Sequence, residues 1–110
     1  MDWAVVCREH GLGAEIDYLS LDLDDHLGQE STVLLVLKNL VSSGLVFRAI
    51  TVEHDCYRLG DAAKNSMREL LLSHGYKLFA ADVVNNHSPD GPLDMPGGLN
   101  GVPFEDWWIR

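Results

Sequence analysis

Apolar and polar positions change their spacing several times along the chain, and each change marks an element. Ile16 to Asp22 alternates, with Leu19 and Leu21 on one face and Tyr18 and Ser20 on the other, the two-step period of a strand. Both faces carry substantial side chains, as in an interior parallel strand covered on two sides. Glu30 to Leu40 is apolar nearly all round, with Glu30 and Ser31 where a first turn and cap belong, and predicts a well-buried helix stopped by Ser42, Ser43 and Gly44. Val46 to Glu53 is β-branched and bounded by turn residues, hence a second strand. Asp61 is placed as the N-cap of a helix running to Ser73, with Met67, Leu70 and Leu71 toward a core and Gly75 as a left-handed stop. Tyr76 to Val84 and Val102 to Ile109 are the third and fourth strands. Upstream, Trp3 to His10 forms a short helix closed by Gly11 or Gly13.

Strands alternating with helices imply right-handed crossovers, so this order predicts an α/β domain with three parallel strands and helices on both faces. The stretch Asn85 to Gly101 is rich in proline and glycine and has no period, which marks a long loop rather than a crossover helix. Without a helix in that connection, the C-terminal strand should return antiparallel. Adjacent Trp107 and Trp108 must then face opposite sides of it.

Ligands in such sheets sit beyond the carboxyl ends of the parallel strands. There the first strand ends in Asp22, Asp24, Asp25 and His26, and the second in Glu53, His54 and Asp55. Oxygen and imidazole groups this close together, without a basic residue among them, can hold a divalent cation, orient a hydroxyl, or raise one carboxylate into the range of a general base. The alternative is that strand ends meet solvent and Asp24 or Asp25 caps the next helix. Tyr57 and Arg58 are further candidates for substrate contact. His10 and His74 fall near helix ends, where imidazole suits the dipole, and His87 lies in the long loop.

Composition narrows the field. The 110 residues suffice for one core, so the chain reads as a single domain, 1–110. A formal net charge of -9 disfavours nucleic acid. No apolar run is long enough to span a bilayer, no signal peptide opens the chain, and Cys7 and Cys56 have neither a CxxC nor a zinc spacing; the expectation is a cytoplasmic protein with two buried thiols.

In sequence, Leu19-Ser20-Leu21-Asp22, Ile50-Thr51-Val52-Glu53-His54, Gly75-Tyr76 and Glu105-Asp106-Trp107-Trp108 resemble the carboxyl-terminal half of FkbM-type S-adenosylmethionine-dependent methyltransferases, from about Ala14 onward. The resemblance implies a partial Rossmann-like methyltransferase sheet, three parallel strands plus one antiparallel C-terminal strand inserted between the second and third. It also implies that Asp22, Asp24, Glu53 and His54 lie near the methyl donor and acceptor, with S-adenosylmethionine as cofactor and a small molecule or sugar hydroxyl as acceptor. At the first tip the family reads Asp-x-Glu-Gly, whereas this chain has Asp22-Leu23-Asp24-Asp25 and no glycine before Gly28. The glycine-rich donor turn and the ribose-binding acid have no counterpart, since Gly11-Leu12-Gly13 follows a helix rather than a strand. The expectation is therefore the substrate-side half of a methyltransferase, inactive until a donor-binding half completes it, and prone to pair as a homodimer through the edge at Ile16 to Asp22. The alternatives are a non-catalytic binding or structural module and an acidic metal-binding site.

Overall fold

The computed structural model describes residues 2–23, 32–56, 60–84 and 103–110. In chain order they form α1 (Trp3–Glu9), β1 (Glu15–Leu21), α2 (Thr32–Ser42), β2 (Val46–Glu53), α3 (Asp61–Ser73), β3 (Lys77–Val84) and β4 (Pro103–Ile109). The predicted loop Asn85 to Gly101 and turn at 26–29 lie outside the described residues.

Local chemistry sets the helix ends. Asp2 caps α1 by accepting hydrogen bonds from the amides of Ala4 and Val5 at 3.0 and 3.3 Å. Gly11 closes that helix with φ +80°, and Gly75 closes α3 with φ +86° while the Tyr76 amide donates back to the Leu71 carbonyl at 3.0 Å. The start of α3 departs from expectation. Gly60 holds the cap position without a side-chain bond, and Asp61 is the first helical residue, its carboxylate 3.4 Å from Lys64. An acid one position inside the helix still meets the positive end of its dipole.

The strand order is β1-β2-β4-β3. Only β1 and β2 pair in parallel, while β4 pairs antiparallel with β2 on one side and β3 on the other. The expected arrangement of three parallel strands is thus corrected to a mixed sheet with a single parallel pair. The cause is β4 itself: wedged between β2 and β3, it takes the hydrogen bonds that a parallel β2–β3 ladder would need.

Helices on both faces are corrected as well. One continuous core joins Cys7 of α1, Val33, Leu37, Leu40 and Val41 of α2 and Met67 and Leu71 of α3 to Phe47, Ile50, Val52 and Trp108 of the sheet. Burying apolar area of this kind is the main stabilising term for so small a domain. On the opposite face Tyr18 is 56% exposed and Trp107 39%, against 1% for Trp108. Among the described residues β1 is the edge strand of the sheet, with Leu21 its buried residue. Helix α2 is correspondingly one-sided, with Leu35 exposed. Among the described residues no helix is long and apolar enough to cross a membrane.

Candidate functional site

Strand direction brings several polar side chains to one rim. Asp22 follows the last residue of β1, Glu53 ends β2, His54 comes next, and β4 begins beside them, with Glu53 directly opposite Glu105. Asp82, near the end of β3, meets the same rim. Of the four residues singled out from the sequence, the structure brings Asp22 and Glu53 together and sends His54 to the other face, beside Asp82 and Asp106, as alternation along a strand requires. Asp24 lies outside the described residues, as do Asp25, His26, Tyr57, Arg58 and His87.

Glu53 titrates far from an ordinary carboxyl. Burial, a hydrogen bond to Asp22 and the charges of Asp55, Asp22 and Glu105 push it up from 4.5 to about 9. At neutral pH Glu53 therefore keeps its proton, in a hydrogen bond with the Asp22 side chain. Facing like charges across a ladder is unfavourable, and the retained proton relieves it. Beside the pair, the Trp107 indole donates to Glu105 at 2.8 Å and the Tyr18 and Thr51 hydroxyls meet at 2.7 Å.

On the covered face a second cluster lies under α3. Arg68 grips Asp106 with both prongs of its guanidinium, Nε to Oδ2 at 2.7 Å and Nη2 to Oδ1 at 2.9 Å, and Nη2 also donates to Asp82 at 3.0 Å. Asp106 is 2% exposed, and its Oδ1 accepts the Asp82 amide at 2.9 Å. Burial alone would raise the Asp106 carboxyl, but the hydrogen bonds from Arg68 and the Asp82 amide hold it far below the usual carboxylate range. Asp82 is also lowered, the pull of Arg68 and Lys64 outweighing burial. Asp82 has φ +52° at an irregularity in β3, and Asp55 has φ +49° beyond β2; two non-glycine residues in the left-handed region flank the cluster.

His54 is 1% exposed. Its Nδ1 accepts the Cys56 amide at 3.2 Å, which turns Nε2 toward Asp82 and Asp106. Nε2 lies 3.2 Å from Asp82 Oδ1 and 3.5 Å from Asp106 Oδ1, without a hydrogen-bonding angle to either.

His54, Cys56 and Asp82 bring ligand atoms within 4.8 Å of one another, a spacing that a metal ion could use. Their chemistry does not suit one. Asp82 is already engaged by Arg68 and Lys64, and burial pushes the Cys56 thiol up, away from the thiolate that a metal needs.

No family model, curated protein or solved structure matches the chain. The site thus stands on its own geometry.

Arg68, Asp82 and Asp106 were not marked by sequence reasoning. Asp82 had a signal, as the one charge between Leu78 and Val84 in an otherwise apolar strand. Lys64 and Arg68, four apart beside Met67 and Leu71, form a basic border to the apolar face of α3. His10 and His74 cap α1 and α3 as expected, the latter with Nδ1 at 2.9 Å from the Leu70 carbonyl oxygen.

Proposed function

We propose that the chain is the acceptor-side half of an O-methyltransferase of the FkbM type, working on a hydroxyl of a small molecule or sugar once a donor-binding half completes it. The observation that carries this reading is the Asp22–Glu53 pair, two hydrogen-bonded carboxyl groups at the strand-end rim where the resemblance puts the groups around the acceptor. Such a pair can receive a proton from a hydroxyl as that oxygen becomes nucleophilic. The base form of Glu53 accumulates as pH rises toward about 9, so the rate of the completed enzyme climbs over that range. The order β1-β2-β4-β3, with the C-terminal strand between the second and third, is in keeping with the same reading.

The described residues do not fit S-adenosylmethionine. A donor turn joins the end of a strand to a helix through several glycines. Here Gly11, Gly44 and Gly75 follow helices, Gly13 precedes β1, and Gly60 stands alone at the cap of α3. The donor is therefore assigned to the completing half, and nothing in this chain's chemistry is routed through it.

In this reading the completing half docks on the edge of β1. The outer edge of β1 has no partner strand among the described residues, and beside it runs an apolar groove of about 420 Å³ lined by Trp3, Ile16, Leu19, Leu23, Val36 and Leu40, among others. A strand added to β1, followed by a helix over the groove, would satisfy the backbone and bury the apolar lining together. Cys7 and Cys56 are unpaired thiols, in keeping with a cytoplasmic setting.

Calorimetry with S-adenosylmethionine tests the division of labour. The chain alone should give no measurable heat of binding, whereas the chain fused behind the donor-binding half of an FkbM-type enzyme should bind. Micromolar binding by the chain alone would refute the reading.

A further inference from the structure

The geometry points to Arg68 as a positioning residue for the rim: its two-pronged grip on Asp106 fixes the end of the β2–β4 ladder on which Glu53 is presented to Asp22. The inference rests on the proposed role of the Asp22–Glu53 pair and adds what holds that pair in place. Asp106 pairs with Val52, and Glu105 with Glu53, so the grip lies one residue from Glu53 on both strands, on the opposite face. Just beyond, the amides of His54 and Asp55 both donate to the Phe104 carbonyl, at 2.8 and 3.2 Å. The same guanidinium reaches Asp82, whose amide closes on Asp106, so a single side chain of α3 ties β3 and β4 together beside β2. Only arginine offers this fork. A lysine keeps the charge but makes a point contact, and cannot hold both Asp106 oxygens and Asp82 in one plane.

The groups that face Glu53 are Asp22 after β1, Asp55 after β2 and Glu105 on β4. Lys64 and Arg68 belong to the other face. A change at Arg68 that preserves charge can therefore reach Glu53 only by moving the strands.

Site-resolved NMR titration of the Glu53 carboxyl tests this, in the intact chain and in Arg68→Lys, Asp82→Asn and the surface control Arg48→Lys. The expected result is a folded Arg68→Lys protein whose Glu53 midpoint falls by about one unit or more, a tenfold change in proton affinity, with a smaller fall in Asp82→Asn and none in Arg48→Lys. Folded Arg68→Lys and Asp82→Asn proteins with a wild-type Glu53 midpoint overturn the inference. So does loss of the fold in both, which would make Arg68 an anchor of stability and nothing more. A wild-type midpoint already in the ordinary carboxyl range would instead sink the proposed role of the pair, a separate outcome.

Discussion

Two carboxyl groups within two residues of each other along the sheet are driven in opposite directions, and the difference lies in what surrounds them. Glu53 faces Asp22, Asp55 and Glu105, all acids, and retains its proton; Asp106 faces Arg68 and loses its proton readily. Each has a consequence for stability. The Glu53 value is higher in the folded chain than in the unfolded one, so between pH 4.5 and about 9 the folded state binds a proton that the unfolded state has released. That contribution is complete below pH 4.5 and fades as pH rises through the window. Urea unfolding should accordingly show stability falling from mildly acidic to alkaline pH, and Glu53→Gln should flatten the fall. For Asp106 the sign reverses: its contribution is present above the ordinary aspartate value and is lost as acid overtakes its depressed one. Asp106→Ala leaves Arg68 without its carboxylate and should cost about 3 kcal/mol in the same assay, in line with breaking other buried pairs.

The elements repeat this dependence on surroundings. Trp107 and Trp108 are chemically identical neighbours, but only Trp108 enters the core. Trp108→Ala should lower stability by about 3–5 kcal/mol, whereas Trp107→Ala should change it by less than about 1 kcal/mol. Gly75→Ala should cost about 1 kcal/mol through the backbone alone, because a Cβ there meets no atom within 4 Å while φ remains +86°. Helices, strands and stops of this kind were legible in the sequence because each rests on local chemistry: the alternation of Leu19 and Leu21, the β-branched run of β2, the glycine after α3. The insertion of β4 between β2 and β3, antiparallel to both, was expected from the helix-less connection and the resemblance, and the sheet order agrees. Whether Tyr18 is covered depends on which face the helices choose, and that is not written in the local pattern of any strand. The acids of the rim were visible as a cluster, but the split into a hydrogen-bonded acid pair on one face and an arginine grip on the other needed the register of β2 against β4.

For the molecule as a whole, the proposed completing half has a definite consequence at the edge of β1. The edge of β1 and the apolar groove beside it form one continuous surface that a completing half would cover, and an isolated chain can shield the same surface by pairing with its own copy through β1. Light scattering should find concentration-dependent dimers of the chain alone and a monomer once the donor-binding half is fused ahead of α1. The most direct measurement is transfer of a labelled methyl group from S-adenosylmethionine to a panel of hydroxyl acceptors by that fused protein, with and without Glu53→Gln. The expected result is transfer that rises with pH toward about 9 and drops by roughly a hundredfold or more in Glu53→Gln, the scale of a lost general base. A fused protein that folds and binds the donor but transfers no methyl group, or transfers it equally well without the Glu53 carboxyl, would contradict it.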